Sequence, residues 1–455
     1  MKMLWLKFEN PCCDFRKHDA GDLMKHLKFD EKSVLIIGGG IAGLQVASDL
    51  AKFGIKVYLV ERLPSLGGHV SLLSTVFPTL TDADKIVLQK ISEVSNYSNV
   101  QILTNAEVKE VNGTFGDFKV KIVKEPRYVD EKKCTACGKC VEVCPVSIPR
   151  ENEMGLSYRK AIYMPFKAFP KTYLIDEDNC LHFKGNECKA CVEVCPENAI
   201  DLSQTPIDID LKVDAIVLAT GFDLFDARKI TQYGYGTYKN VITGLEYERL
   251  AHPEGPTNGR IVRVSDGKEP KSVVFLLCVG SRDKKYQTYC CRIGCPNALK
   301  HAYILKKQYG ENVDAYICYI DIRTSGKGLE EFYQEVRRSG ITLIHGQPSE
   351  IRPLPDGSLN VEIFDTATHK LLSIIADLVV LETAIIPCTA IREVLNLPLS
   401  QYGFFQEKDL KLNTTETQTK GIFLAGTVQG PKNITETIEH ASTAAIRIME
   451  ALTEL

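Results

Sequence analysis

Residues 33–61 read SVLIIGGGIAGLQVASDLAKFGIKVYLVE, and this stretch decides the fold of the chain. An apolar strand precedes three glycines, a helical segment follows them, and a second apolar strand ends on Glu61. The pattern Gly38-x-Gly40-x-x-Gly43 between strand and helix, with an acidic residue about 20 positions later, is typical of a dinucleotide-binding βαβ unit. The glycines let the backbone approach a pyrophosphate at a helix N-terminus, and Glu61 is placed to accept from ribose hydroxyls. The alternative is a glycine-rich helix start without a ligand, which the flanking strands argue against.

Two later motifs favour FAD as the dinucleotide. A strand predicted within 213–225 ends in Ala-Thr-Gly, and the segment 421–430, GIFLAGTVQG, precedes the last predicted helix. Both resemble flavin-contact motifs of two-dinucleotide-domain flavoproteins such as thioredoxin reductase. That family usually has an aspartate where this chain has Thr427, so we expect the next backbone amides, of Gln429 and Gly430, to make the ribityl contact. The predicted FAD contacts are Gly38, Gly40, Gly43, Glu61, Gly68, Ala219, Thr220, Gly221, Gly426, Gln429 and Gly430.

The composition limits the class of protein. The chain has 455 residues, of which 44% are hydrophobic and 25% charged, so it can form two or three domains with separate cores. Lys and Arg number 55 against 58 Asp and Glu, and the net charge of -3 gives no reason to expect nucleic acid as a partner. No apolar run approaches the roughly 20 residues of a membrane-spanning helix, and the first residues do not form a secretory signal. We therefore expect a cytoplasmic protein with no membrane span of its own.

Sixteen cysteines in such a chain point to thiolate ligation, because the cytoplasm keeps thiols reduced. Residues 131–203 contain eight of them. A run Cys-x2-Cys-x2-Cys-x3-Cys-Pro starting at Cys134 is the bacterial ferredoxin pattern, whose fourth cysteine serves the other cluster in two-cluster proteins. A second run ends at Cys195, with its first ligand displaced to Cys180. A zinc ribbon is the alternative, but eight cysteines with two Cys-Pro ends argue against it. We predict one 4Fe–4S cluster at Cys134, Cys137, Cys140 and Cys195, and another at Cys144, Cys180, Cys188 and Cys191.

Another group of cysteines lies in residues 271–302, KSVVFLLCVGSRDKKYQTYCCRIGCPNALKHA. A two-dinucleotide flavoprotein would carry its second glycine fingerprint, for a nicotinamide, at this place, and that fingerprint is missing. We infer that a metal cluster replaces the nicotinamide as electron partner of the flavin. The alternative is a core cysteine at 278 and a vicinal redox disulfide. Lys300, close to the start of a helix predicted over 297–310, either projects to the flavin or is an ordinary solvated lysine. The predicted ligands of this third 4Fe–4S cluster are Cys278, Cys290, Cys291 and Cys295.

From residue 33 to the C-terminus, the chain resembles the A subunit of heterodisulfide reductase, the flavin subunit of methanogens and of related complexes. The resemblance implies a FAD subunit, a cluster at the four cysteines between 278 and 295, and a catalytic lysine, matching Lys300, close to the flavin N5. Longer members have further ferredoxin-bearing segments at both ends. Many also have D-C-x-x-C where residues 81–84 read TDAD. The stretches that carry the resemblance include IIGGGIAGLQVA (36–47), AIYMPF (161–166), CVGSRD (278–283), YCCRIGC (289–295), YIDIRTSGKGLEEFY (319–333) and AGTVQGPKNITET (425–437).

These features predict an α/β two-dinucleotide-domain flavoprotein, thioredoxin-reductase-like and Rossmann-type, with an inserted α+β bacterial-type two-cluster ferredoxin module. Cys12, Cys13, Cys318 and Cys388 have no predicted role. The predicted division of the chain is a leader (1–32), the first part of the FAD-binding domain (33–130), the ferredoxin-like insert (131–203), a continuation of the FAD-binding domain (204–270), a second dinucleotide-like domain with a cluster (271–385) and the C-terminal part of the FAD-binding domain (386–455).

The function implied by the resemblance is electron transfer in a heterodisulfide-reductase-like complex. Electron pairs would be split at FAD between a low-potential ferredoxin path and a higher-potential partner, by bifurcation or confurcation. The implied partners are B- and C-like subunits, an electron-input subunit or a hydrogenase or dehydrogenase module, and ferredoxin, in a hetero-oligomer. The first alternative is the non-bifurcating flavin subunit of a quinone-interacting oxidoreductase that serves adenylylsulfate reductase. The others are an NAD(P)H-dependent enzyme like the glutamate synthase small subunit, and a non-catalytic electron-wiring scaffold.

Overall fold

A computed structural model of the chain describes Phe29 and residues 31–455. The predicted leader, with Cys12 and Cys13, therefore lies almost wholly outside the described residues. Two parallel five-stranded sheets form the framework, and each is accompanied by a separate three-stranded antiparallel sheet. None of the described helices is long and apolar enough to cross a membrane.

The first parallel sheet is built around the glycine-motif strand. Except for the edge strand Val100–Thr104, its strands are largely buried and apolar, as parallel strands covered by helices are. The C-terminal helix Ile434–Leu452 packs on the helix Ile41–Ala51, which in turn packs on the helix Ala83–Ser95. The strand order is Ile422–Leu424, Ala215–Leu218, Ser33–Ile37, Lys56–Glu61 and Val100–Thr104.

A three-stranded antiparallel sheet joins this unit, in the order Ile207–Val213, Asp117–Lys124 and Ala106–Thr114. The strand predicted within 213–225, which ends in Ala-Thr-Gly, is confirmed as Ala215–Leu218. Sequence reasoning missed the preceding strand Ile207–Val213, and the chain changes from one sheet to the other at Asp214. The Asp214 carboxylate accepts a hydrogen bond from the Ser33 amide at 2.7 Å, which ties the point of change to the first parallel sheet.

The second parallel sheet has the order Val241–Thr243, Leu378–Thr383, Ser272–Val279, Asp314–Tyr319 and Thr342–His345. The first of these strands lies in the segment 204–270 that the sequence assigned to the FAD-binding domain, yet it pairs here. Three residues are too short a strand for its partner to be recognised from sequence. The helices of this unit and its antiparallel sheet are Gly244–Ala251, Gly294–Tyr309, Leu329–Arg338, Pro348–Pro353, Leu359–Asp365 and Lys370–Ala376.

The helix predicted over 297–310 spans Gly294–Tyr309 and so begins earlier than expected. Its first turn includes Cys295 and Pro296, and proline is tolerated there because the first helical amides need no intrahelical acceptor. The earlier start brings one of the predicted cluster ligands onto the helix itself. This shift matters for the site, because it fixes Cys295 relative to Lys300.

The cysteine-rich segment forms a small unit with short elements and a core to which its own cysteines contribute. A buried ion pair anchors it to the helix Gly244–Ala251. Arg249 donates from Nε and Nη2 to the two carboxylate oxygens of Glu153, at 3.1 and 3.0 Å, and neither side chain is exposed by more than 4%. The elements of this segment are Lys139–Glu142, Ile148–Pro149, Tyr158–Arg159, Ile162–Tyr163, Leu174–Ile175 and Ala190–Glu193. The remaining strands and helix of the chain are Thr75–Val76, Thr81–Asp82, Phe222–Leu224, Ile385–Pro387 and Arg392–Leu395.

Candidate functional site

The glycine loop lies at the carboxyl edge of the first parallel sheet. A Cβ at Gly38 would stand 2.4 Å from the Ala219 carbonyl oxygen, and one at Gly43 would stand 1.9 Å from the Gly38 carbonyl oxygen. These two glycines are therefore required by close packing within the protein. A Cβ at Gly40 would meet nothing nearer than the Gly68 Cα, at 3.9 Å. The space in front of Gly40 is thus open, at the N-terminus of the helix Ile41–Ala51, where backbone amides favour an anion.

Glu61 ends the neighbouring strand beside this loop. Its Oε2 accepts from the Gly39 amide at 2.6 Å, and its Oε1 accepts from the Leu63 amide at 2.8 Å. Burial raises the pKa of the Glu61 carboxyl, although these two amide hydrogen bonds oppose the shift. The side chain is therefore held against the glycine loop, where a ribose would lie next to a pyrophosphate at Gly40.

The other predicted FAD contacts converge on the same edge. Gly68 packs against Gly40, since a Cβ at Gly68 would lie 3.1 Å from the Gly40 Cα. Gly426 packs against the first turn of the helix after the glycine loop, where its Cβ would lie 2.8 Å from the Ala42 Cβ. Gly221 faces Thr427, whose Oγ1 would be 3.9 Å from an added Cβ. Ala219 and Thr220 join these loops, because they follow the strand beside the glycine-motif strand.

The amides of Gln429 and Gly430 are engaged within their own turn. The Gly430 amide donates to the Thr427 carbonyl at 3.1 Å, and the Gln429 amide donates to the Gly426 carbonyl at 3.4 Å. The Gly426 amide donates to Nδ1 of His440 at 3.0 Å, which fixes the turn against the last helix. These two N–H groups already donate within the turn, so a contact with the ribityl chain would have to share them.

The eight cysteines of residues 131–203 separate into two sets in the fold. One cavity is lined by cysteines of the first run and by Cys195 from the second. A second cavity is lined by cysteines of the second run and by Cys144 from the first. Among the described residues, no three His, Cys, Asp or Glu side chains are arranged to hold a single metal ion. The first cavity contains Cys134, Cys137, Cys140 and Cys195, and the second contains Cys144, Cys180, Cys188 and Cys191.

The exchange of the fourth cysteine follows from the arrangement of two short helices. Lys139–Glu142 and Ala190–Glu193 pack against each other, and each begins beside the third cysteine of its run. The chain leaves each helix toward the other half of the unit, so the Cys-Pro end of one run faces the other cavity. The described cysteines are free thiols.

The third group of cysteines lies between the end of a strand and the start of the helix Gly294–Tyr309. The Cys291 sulfur accepts from the Gly294 amide at 3.3 Å, and the Cys290 sulfur accepts from the Arg292 amide at 3.3 Å. Burial raises the pKa of Cys295 to about 12, with smaller contributions from Cys278 and Cys290. Cys278 and Cys295 pack in the same hydrophobic cluster, whereas Cys291 packs with Ile385 and Phe404 in another.

Cys278 has a left-handed backbone, with φ of 61°, at an irregularity in the pairing of its strand. A left-handed conformation is uncommon for a residue other than glycine and is stored strain that clusters at functional sites. Arg282 and Arg292 in the same loop are also left-handed. Ser281, buried beside Cys278, has an Oγ that makes no hydrogen bond to any described residue. These features fit a loop shaped around a group that the cysteines hold.

Lys300 is completely buried, so the alternative of a solvated surface lysine is wrong. Its Nζ donates to the Thr75 carbonyl at 2.8 Å and also contacts the Glu248 carboxylate. The Thr75 hydroxyl beside it is buried and makes no hydrogen bond to any described residue. His301 and Glu382 extend this contact into a network that sequence reasoning missed. Its one signal in the sequence is Glu382 itself, a carboxylate at the end of the otherwise apolar run Leu378–Leu381.

The fold is similar to that of solved flavoprotein reductases. The structure of T. acidophilum thioredoxin reductase has a TM-score of 0.53 and 15% identity, with 93% of this chain and 99% of that chain covered. Lactococcus lactis thioredoxin reductase has a TM-score of 0.51 and 14% identity, with 93% of this chain and 100% of that chain covered. These likenesses confirm the predicted Rossmann-type, two-dinucleotide-domain fold class.

Sequence comparison points the same way. The pyridine nucleotide-disulphide oxidoreductase family matches residues 8–139. The iron-sulfur A subunit of the CoB--CoM heterodisulfide reductase of Methanocaldococcus jannaschii is 47% identical over 422 residues, which are 91% of this chain and 63% of that protein. The A subunit of the H(2):CoB-CoM heterodisulfide,ferredoxin reductase of Methanothermobacter marburgensis is 43% identical over 424 residues, which are 92% of this chain and 63% of that protein. The chain thus spans less than two thirds of the length of these relatives.

Proposed function

We propose that the chain is a FAD-containing iron–sulfur electron-transfer subunit of a heterodisulfide-reductase-like oxidoreductase complex, of the same family as the heterodisulfide reductase A subunits to which it is similar. The observation that carries the proposal is the separation of eight cysteines into two sets of four, each completed by the last cysteine of the other run. That exchange is the ligand pattern of two-cluster ferredoxins. Residues 131–203 would accordingly hold two 4Fe–4S clusters.

The residues at the edge of the first sheet fit FAD. Gly40 leaves open space at a helix N-terminus, and Gly68 closes one side of it. Glu61 is held beside the same loop by the Gly39 amide. In this proposal the helix N-terminus binds the pyrophosphate and Glu61 binds a ribose hydroxyl. Buried Lys300 then lies behind the segment that follows Gly68, as a fixed positive charge near the flavin.

The third cysteine group would hold another 4Fe–4S cluster, with Cys278, Cys290, Cys291 and Cys295 as ligands. Its loop is tied to the first unit, because Arg292 donates to the Pro431 carbonyl at 3.1 Å and contacts Glu436 at the start of the last helix. When bound, FAD exchanges electrons in pairs or singly, and each cluster exchanges one electron. A cluster on this loop would therefore lie where electrons can pass between the two units.

We further propose that the chain divides electron pairs between a ferredoxin and a partner of higher potential, within a hetero-oligomer with B- and C-like subunits and an electron-input module. What supports this is that relatives are named as one lettered subunit of a reductase and that one name includes ferredoxin. The cysteine-rich unit, attached through Arg249 and Glu153, would be the low-potential exit.

Cofactor content tests the first proposal. The full chain, purified without oxygen, should hold about one FAD and roughly twelve iron atoms with as much acid-labile sulfide, for three clusters. Cys137→Ser and Cys188→Ser should each remove about four iron atoms. Cys318→Ala is the matched control, because Cys318 is a fully buried core residue of the second unit, and it should retain all the iron. A chain without flavin absorbance would overturn the proposal.

A redox titration of the bound flavin tests the division of electron pairs. Crossed one-electron potentials, with the second electron leaving at a lower potential than the first, are the expected result. Potentials in the ordinary order would contradict the proposed division and leave simple electron transfer. The iron analysis of the same preparation shows whether an ordinary order reflects missing clusters or the flavin site itself.

A further inference from the structure

Four ionisable side chains are buried together in the second unit of the fold, where it contacts Ser74 and Thr75. Glu248 is 1% exposed, Lys300 0%, His301 1% and Glu382 4%. They come from a helix, a second helix and a central strand, which are far apart in sequence. Burying charge is costly unless it is paired, so such a set must be close to neutral as a whole. With two carboxylates and one lysine, neutrality requires one further positive charge.

The imidazole ring of His301 is placed to supply that charge. Its Nε2 lies 2.6 Å from Oε1 of Glu248, and its Nδ1 lies 2.8 Å from Oε1 of Glu382. A neutral imidazole has one N–H, so one of its nitrogens would face a carboxylate oxygen with no proton between them. An imidazolium donates from both nitrogens. We propose that His301 is a permanently protonated imidazolium that acts as a positioning residue for Lys300.

The remaining groups around His301 agree with a single buried cation at this position. On the facing helix, the Tyr247 hydroxyl donates to the His301 carbonyl at 2.9 Å, and its ring lies 4.6 Å from the imidazole. Phe275, on the neighbouring strand, adds an apolar ring. Burial alone would lower the pKa of His301, but the carboxylates of Glu382 and Glu248 raise it above its ordinary value.

The charge on His301 acts on Lys300 through Glu248. One oxygen of Glu248 contacts both His301 and Lys300, while the other accepts from the Ser74 amide at 2.8 Å and the Ser74 hydroxyl at 2.7 Å. Lys300 in turn donates to the Thr75 carbonyl. The imidazolium thus fixes the carboxylate that orients the lysine, and it balances Glu382. If His301 were neutral, the four side chains would carry a net negative charge. The positive charge of Lys300 would then be cancelled, and it would no longer stabilise negative charge on a flavin bound nearby.

Carbon-13 labelling of the histidine Cε1 positions tests the protonation state in the FAD-free chain. The resonance absent from His301→Gln should keep the shift of an imidazolium from pH 6 to pH 8.5. In Glu382→Gln, which keeps the side-chain volume but removes one negative charge, the same resonance should begin to titrate in that range. A His301 resonance that titrates near its ordinary pKa in the wild-type chain, or is neutral throughout, would overturn the proposal. If His301→Gln does not fold, the wild-type and Glu382→Gln spectra decide between the two results.

The positioning role rests on the proposed function, because FAD is the group that Lys300 would face. The flavin midpoint potential should be more negative in His301→Gln than in the wild type at the same pH. His369→Asn is the matched control, since His369 is exposed in the second unit with a left-handed backbone that asparagine accepts. It should leave the potential unchanged. An unchanged potential in His301→Gln would refute the positioning role. A chain that binds no FAD would refute the proposed function alone, and the histidine resonance would still report the proton.

Discussion

Replacing Gly40 and Gly43 by alanine, one at a time, tests whether the glycine loop binds a dinucleotide. Gly40 caps the helix Ile41–Ala51 with φ of -76° and ψ of -174°, a conformation open to alanine, and its new methyl would have 3.9 Å to the nearest protein atom. The methyl of Gly43→Ala would lie 1.9 Å from the Gly38 carbonyl oxygen, which backbone movement alone can relieve. The same chemical change should therefore affect the stability of the chain at Gly43 but not at Gly40.

The magnitudes follow from these distances. Gly40→Ala should change the free energy of unfolding by less than about 1 kcal/mol, because a weaker helix cap is offset by lower entropy of the unfolded chain. Its methyl fills the space for the pyrophosphate, and losing one hydrogen bond to a charged group costs about 1.5–3 kcal/mol, or about 10- to 150-fold in Kd. Gly43→Ala should lower the free energy of unfolding by about 1–3 kcal/mol or more, as overpacking does.

Two measurements on each FAD-free variant separate these effects. Titration with FAD, followed by the quenching of its fluorescence, gives Kd, and urea unfolding followed by circular dichroism gives the stability of the chain. We expect Gly40→Ala to lose affinity at unchanged stability and Gly43→Ala to lose both. If Gly40→Ala bound FAD as tightly as the wild type, no phosphate would lie at this helix N-terminus. If Gly40→Ala unfolded as readily as Gly43→Ala, the contact distances would not explain the two glycines.

Three further predictions concern buried charges. Arg249→Met should lower the free energy of unfolding by about 3–5 kcal/mol, because it leaves Glu153 buried and unpaired. In urea unfolding, the double variant Arg249→Met/Glu153→Gln should recover part of this loss. An equal loss in the single and the double variant would contradict the pairing. Lys300→Met should cost about 3–5 kcal/mol in the same assay, because Glu248 loses one of its two cations, and a loss below 1 kcal/mol would refute the buried pair. Burial lowers the pKa of His440 to about 4, whereas the same imidazole in the unfolded chain has a pKa near 6.5. Between pH 4 and pH 6.5, the unfolded state therefore binds a proton that the folded state does not. Stability should therefore fall by up to about 1.4 kcal/mol per unit as the pH drops from 6.5 to 4, and His440→Gln, measured over the same range, should lack this contribution.

The parts of this protein that sequence alone determined are those whose chemistry is written at short spacing. The glycine motif before Glu61 predicted a dinucleotide-binding unit, and the fold class to which it led is confirmed by the solved reductases. The resemblance to heterodisulfide reductase A subunits is confirmed by relatives that are 47% and 43% identical over about nine tenths of this chain. Such motifs can be recognised in the sequence because a single strand–turn–helix connection requires particular residues at fixed spacings. The ligand roles of the twelve cysteines remain predictions, although their separation into sets agrees with the spacing.

Tertiary structure decided which charges are buried and what they contact. From sequence, Lys300 would be expected at the surface, because lysine is rarely buried without a partner. Only the fold shows that it is buried and contacts the Glu248 carboxylate in the core. The strand Val241–Thr243 likewise joins its sheet by pairing with the strand Leu378–Thr383, more than a hundred residues later in the chain. His301 becomes a cation because Glu248 and Glu382 approach it from two other elements. The physical reason is that a buried charge depends on its partners in space, and those partners have no fixed spacing in sequence.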